Sequence, residues 1–365
     1  MQAIHILDMN LNLLGEIAHY KNLRLRRKFR EAGDFEMVLP LNHPMAERLA
    51  RDRILCPVGQ REKAMLIEEI AKSEGTDTIS VKGYTLSGLL RRRVCIPPDG
   101  GAGNFGYDRI IADAESVMRH YVSGNVVAPQ SDARRMPCMA LETVNGHRGM
   151  QQVPWSARFE QLDELLFSIG AYCDAGFSVV PDFEQKKLVF TFLPGRDMTG
   201  AENGNHVIFG VHMGNAAQAT LQESAQQAKN AAVVGGAGED ENRLILTVCP
   251  GGETGVARRE VFVDAGSLAQ PDDLVKEGER RLGEKRVARA IRAQVVQTAS
   301  CCYGKQWELG DLVTVVAHGE GMQARITQVQ ESHEAGKPVT LEVTFGEAAA
   351  DLGRLLRQSV KSMVR

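Results

Sequence analysis

A few stretches of this 365-residue chain carry residue types and spacings that could do chemistry. Gly101-Ala102-Gly103-Asn104-Phe105-Gly106 spells G-x-G-x-x-G ahead of a helical pattern, the order that seats a dinucleotide pyrophosphate on a helix N-terminus. Such a site needs a strand ending at the first glycine and an acidic residue about 20 positions on. Here Pro97-Pro98-Asp99-Gly100 breaks the chain before the motif, and His120-Tyr121 occupies the distant position. A glycine loop is the expectation. Gly235-Gly236-Ala237-Gly238 follows an apolar strand, but Glu239-Asp240-Glu241 would repel a phosphate, so this reads as a turn.

Metal and nucleophile patterns are no stronger. His206 and His212 fall on one side of a continuous strand, yet no third ligand has zinc spacing. Cys301 and Cys302 point to opposite faces of a strand, and Glu68-Glu69 lies in a charged surface stretch. G-x-S-x-G and H-E-x-x-H are absent from the sequence. No catalytic, cofactor-binding or metal-ligating residue is therefore assigned. The best electrostatic feature is the stripe Arg24, Arg26, Lys28 and Arg30, with Arg91-Arg92-Arg93 beyond it. It reads first as a solvated sheet face, and second as a patch at an interface or lining a lumen.

The elements that carry these residues are mostly strands. Leu23, Leu25, Arg27 and Phe29 alternate with the cations, and Phe35, Met37 and Leu39 alternate again before Pro40. Met65 to Lys72 and Thr78 to Lys82 form an antiparallel pair, and Leu86 to Arg92 reads as helical. Helices are expected over Tyr107 to Val122 and over Ala157 to Ala175, the second capped by Ser156 and stopped by Gly176. A hairpin follows, Phe177 to Pro181 and Leu188 to Phe192. Ala216 to Val234 reads as extended, and Pro271 opens a solvated helix. Strands return at Leu309 to Val316, Met322 to Gln330 and Val339 to Phe345, before a short helix on Leu352, Leu355 and Leu356.

Composition excludes more than it selects. Lys plus Arg number 43 against 46 Asp plus Glu, a net charge of −3, which argues against a dedicated nucleic-acid binder. Aromatics are few (12 Phe, 6 Tyr, 2 Trp), so stacked-ring platforms have little material. The 7 cysteines are scattered, which fits free thiols in a reducing compartment. No apolar run approaches the length of a membrane helix, and the N-terminus has no secretory pattern.

A further signal is an ordered set of motifs. Phe29-Arg30-Glu31-Ala32-Gly33-Asp34-Phe35-Glu36-Met37-Val38-Leu39-Pro40 resembles a recurrent stretch of siphophage tail proteins. In the same order follow Lys229 to Gly236, Arg258 to Ala265, Leu309-Gly310-Asp311-Leu312-Val313-Thr314-Val315, Ala324 to Val329 and Thr344-Phe345-Gly346. The set is similar to the tail hub, to the N-terminal part of tail-associated tip proteins and to the baseplate hub of contractile-tailed phages.

The resemblance implies an α+β, β-rich fold: two tail-tube-like antiparallel β-barrel domains with smaller α+β domains inserted between or beside them. The expected division is a first barrel at 1–95, a mixed α+β domain at 96–205, a second barrel with a helix insert at 206–346 and a helix at 347–365. Gly33 and Gly310 are expected in tight turns, with Phe35, Leu39, Pro40, Val313 and Val315 in turn-flanking and barrel-core positions. The implied function is a structural hub of a tail tip or baseplate, a homotrimeric ring without cofactors. Its partners would be distal tail or tail-tube proteins, a tape-measure protein and a tip or spike protein. DNA would only pass through, and no membrane is engaged. The place is the virion tail, after synthesis in the bacterial host cytoplasm. Many tip proteins continue into a fibre or lysin; this chain stops at Arg365, so such an activity is expected on another chain. The alternative is a wall-degrading tip enzyme, which would require carboxylates converging in a cleft.

Overall fold

The structure, a computed structural model, describes residues 2–99, 106–143, 151–200, 204–266 and 268–347. The glycine motif before Gly106 and the expected C-terminal helix beyond Glu347 lie outside the described residues. The first seven strands are β1 (Ile4–Leu7), β2 (Leu13–Ile17), β3 (Asn22–Lys28), β4 (Asp34–Pro40), β5 (Ile54–Pro57), β6 (Met65–Ser73) and β7 (Thr78–Thr85). After them come β8 (Asp108–Ala112), α1 (Ala114–Val122), β9 (Met139–Leu141), β10 (Val153–Ala157), α2 (Leu162–Cys173), β11 (Gly176–Asp182), β12 (Lys187–Leu193) and β13 (Ile208–Gly210). The remainder is β14 (Ala216–Ser224), β15 (Ala231–Gly235), β16 (Ile245–Val248), β17 (Glu260–Asp264), α3 (Pro271–Gly283), β18 (Ala288–Val295), β19 (Leu312–Ala317), β20 (Glu320–Glu334) and β21 (Thr340–Gly346).

The chain divides into two compact units, one of Met1–Ala217 with Ala293–Val343, the other of Gln218–Arg292 with Thr344–Arg365. In the first, a long sheet runs β13-β19-β20-β3-β4-β7-β6-β5-β1-β2. Every pair along it is antiparallel except β13 with β19. Among the described residues no pairing joins β2 back to β13, so this path is open rather than a closed barrel. Alternation explains its sides. Leu23 and Leu25 of β3, with Phe35, Met37 and Leu39 of β4, are buried in one apolar core with Ile4, Ile6, Ile67 and Val81. Each such side chain contributes about 1.5–3 kcal/mol by leaving water.

A second core of this unit joins α1 and α2 to the β11-β12-β9 sheet through Tyr121, Leu166, Phe177 and Phe190. Here two expected helices are shorter than their periodicity suggests. Residues 108–112 form β8, paired in register with β10 from Asp108↔Ala157 to Ala112↔Val153. Asp113 then caps α1, its carboxylate accepting from the Ser116 N–H at 3.1 Å. Likewise the expected cap Ser156 lies in β10 opposite Arg109, and α2 begins only at Leu162. Both errors have one cause: each strand half is stabilised by the other, about 45 residues away, and a local helical period does not register that pairing. The stop of α2 is Asp174, in the left-handed region at φ 51°, while Gly176 already starts β11.

In the second unit, β15 pairs antiparallel with β16 and parallel with β17. Helix α3, with Pro271 in its first turn, packs Leu274 and Leu282 against Val234, Val248 and Val263. Of the stretch 216–234 expected to be extended, β14 and the start of β15 are strands with a turn at 225–230 between them, and the expected hairpin of 177–181 with 188–192 is formed by β11 and β12.

Candidate functional site: a strand junction with paired charges

Strand β3 and the turn after it hold the residues singled out by charge. Arg24 lies 3.5 Å from Glu36 and Arg26 3.5 Å from Asp34, both across the β3–β4 register. Arg26 also donates to Gln330 Oε1 of β20 at 3.2 Å, and Lys28 pairs with Glu31 at 3.3 Å. The outer face of β3 is thus a ladder of cations matched to carboxylates on adjoining positions. Arg91 pairs with Asp163, and Arg92 with Asp52 and Glu68.

Arg30 does something else. It is buried, donates from Nε to the Ala175 carbonyl at 3.2 Å, and forms an ion pair with Asp174. Asp174 receives Arg325 of β20 as a fork, Nε to Oδ1 at 2.9 Å and Nη2 to Oδ2 at 2.5 Å. The remaining Arg325 nitrogen donates to the Gly310 carbonyl at 2.5 Å. Both guanidinium groups lie against the Phe29 ring, each 5.5 Å from its centroid. Two glycines make room for that ring. A Cβ on Gly176 would stand 2.4 Å from Phe29 Cδ2, and one on Gly310 2.3 Å from Cε2. The Phe29 backbone is held on both sides, its N–H donating to Thr327 and its carbonyl accepting from Phe177. This junction fastens the turn after β3 to β11 and to the start of β19.

The other expected positions are plainly placed. Gly33 directs its N–H to Thr85 Oγ1 at 3.0 Å, and a Cβ there would meet the Arg26 carbonyl at 1.9 Å. Phe35, Leu39, Val313 and Val315 are buried, and Pro40 ends β4 half-buried opposite Thr78. Gly310 adopts φ 92°.

Sequence reasoning missed the cations inside. Arg27 shares the apolar side of β3; its Nη1 donates to the Tyr303 hydroxyl at 2.5 Å and to Glu308 at 2.9 Å. Burial opposes its charge, but Tyr303, Glu308, Glu62 and Glu331 outweigh burial and raise its pKa. Burial pushes the Tyr303 hydroxyl well up as well. Nearby, the buried Lys63 reaches Glu331 at 2.7 Å. Burial alone would raise the Glu331 carboxyl, yet His333 and Lys63 hold it below its ordinary range. The signal for Arg27 was its place in the alternation with Leu23 and Leu25; its partners lie too far along the chain to be inferred. Arg196 and Asp311 add a further fork, at 3.0 and 2.5 Å.

Burial holds three of the seven thiols, Cys56, Cys95 and Cys173, back from reaction. Burial pushes Cys56 and Cys95 up to about 12 and Cys173 to about 11. Among the described residues no three His, Cys, Asp or Glu side chains are grouped to hold a metal ion.

This β-rich fold is shared with solved phage tail proteins. The 43 kDa tail protein of prophage MuSo2 from Shewanella oneidensis superposes with a TM-score of 0.57 at 14% identity, covering 94% of this chain and 98% of that one. A tail protein from Neisseria meningitidis MC58 gives 0.57 at 12% identity, with 94% and 96% covered. Prophage tail protein gp18 from Listeria monocytogenes gives 0.54 at 13% identity, with both chains covered completely. No curated protein matches the chain. The chain belongs to the siphovirus ReqiPepy6 Gp37-like protein family, whose profile matches residues 3–347.

Proposed function

We propose that the chain is a structural hub of a phage or phage-derived tail tip or baseplate. Copies of it would form a homotrimeric ring that joins the tail tube and a distal tail protein to the tip or spike. The observation that carries this reading is end-to-end sharing of one fold with tail proteins, together with the family match over residues 3–347. In this reading residues 1–95 and 206–346, the latter with a helix insert, are the two barrel domains that each copy contributes to the ring, and 96–205 is the mixed α+β domain. The core around Ile4, Phe35 and Val81 supports the first of these. Gly33 and Gly310 keep the turns tight, Pro40 ends β4, and Phe35, Leu39, Val313 and Val315 fill the barrel walls.

The role is non-catalytic: the charges gathered inside the first unit are matched cation to carboxylate, which favours rigidity over reactivity. The ladder on Arg24, Arg26 and Lys28 would face a neighbouring subunit or the lumen through which DNA passes. Tape-measure, tail-tube and spike proteins are the partners. The site of action is the virion tail, after synthesis in the host cytoplasm. Counting copies per particle, alone and with neighbouring tail proteins, tests the proposal.

A further inference from the structure

The β8–β10 ribbon turns Val153, Trp155 and Ala157 inward and shows a different set outward. Register places Ile111 beside Pro154 and Arg109 beside Ser156, with Tyr107, Arg158 and Phe159 at the same end. Ile111 is 71% exposed, Phe159 50% and Tyr107 43%. The Arg158 guanidinium lies 5.7 Å from the Tyr107 ring and 5.3 Å from that of Phe159, and Arg109 lies 5.9 Å from Tyr107.

What sets these arginines apart is their lack of an acid. Arg24, Arg26, Lys28 and Arg30 each have a carboxylate partner, whereas neither Arg109 nor Arg158 has one among the described residues. The adjoining segments 100–105 and 144–150 contain no Asp or Glu. A guanidinium resting on a ring is held in place while its fork of donors stays free, which suits bidentate capture of a carboxylate. Tyr, Phe and Arg side chains at this spacing are also those that anchor protein interfaces. Each ribbon strand has only one strand neighbour among the described residues, so an extended segment could pair along an edge.

We propose that this face docks an acidic peptide segment of a neighbouring protein chain. Arg109 and Arg158 take its carboxylates, and an apolar side chain of the segment sits against Tyr107, Ile111 and Phe159. A nucleic acid is the weaker fit, because the chain as a whole carries a net charge of −3. The inference does not depend on ring formation.

The test uses the full chain and a fluorescent peptide alternating Glu with Phe, beside its Gln-for-Glu analogue. Fluorescence anisotropy is expected to show binding of the Glu peptide alone, weakened about tenfold in R109Q/R158Q and about threefold in Y107A. Binding is also expected to be lost in about 1 M salt, where screening acts within about 3 Å. All three side chains are exposed, so the variants should melt like the parent chain. Equal binding of the two peptides, or unchanged affinity in R109Q/R158Q, would overturn the proposal. So would single-stranded DNA binding the same face more tightly than the Glu peptide.

Discussion

The ring of Phe29 occupies the space that a side chain on Gly310 would need: a Cβ there would lie 2.3 Å from Cε2. Gly310 also sits at φ 92°, outside the range of L side chains. Both constraints act on one residue at the start of β19, and the arginine that clasps its carbonyl, Arg325, also covers the Phe29 ring. Gly310→Ala is therefore expected to destabilise the fold by about 2–4 kcal/mol, the sum of backbone strain and a displaced ring. Chemical denaturation measures it. A loss below about 0.5 kcal/mol would show that the junction yields freely.

The buried pair Lys63 and Glu331 gives a second prediction. Glu331→Gln leaves an ammonium group that is nearly enclosed, and is expected to cost about 3 kcal/mol in a denaturant titration. Replacing both together, as Lys63→Met with Glu331→Leu, is expected to recover most of that loss, because an apolar pair carries no desolvation cost.

The same carboxylate sets a pH dependence. Burial works to raise the Glu331 pKa, but His333 and Lys63 prevail and hold it below its ordinary 4.5. A folded pKa below the unfolded one means that the pairing stabilises the protein above pH 4.5 and that this stability is lost as pH falls through the folded value. Glu277 acts in the same direction in the second unit, where Arg280 and Arg281 overcome its burial. Melting temperatures are expected to fall steadily below about pH 4.5, and a flat profile down to about pH 3 would contradict the assignment.

Thiol reactivity offers a fourth check. Cys56 and Cys95 are buried, and burial pushes both up to about 12. A thiol reagent at about pH 8 is expected to leave them unmodified in the native protein and to label them fully once it is unfolded. Rapid native labelling of either would show that the core around β5 and the segment after Arg92 opens readily.

Much of the sheet was legible because its information is local. Phe35, Met37 and Leu39 alternate within β4, and the hairpin of β11 and β12 needs only its own turn. Where the physics is distant, the sequence was silent. Residues 108–112 look helical until Val153–Ala157 pairs with them. Arg27 could be placed on the apolar side of β3, but Tyr303 and Glu308, which make its burial tolerable, lie more than 270 residues on. Arg30 read as a member of a solvated stripe, whereas the turn after β3 carries it inward to Asp174. Gly310 was expected in a tight turn, and its positive φ fits that; nothing local foretold that Phe29 would fill the space beside it.

The proposed hub is tested most directly by the mass of the assembled particle. Mass photometry and electron microscopy of the chain, alone and with its neighbouring tail proteins, are predicted to show closed rings of three copies. A chain that stays monomeric in both conditions would contradict the account.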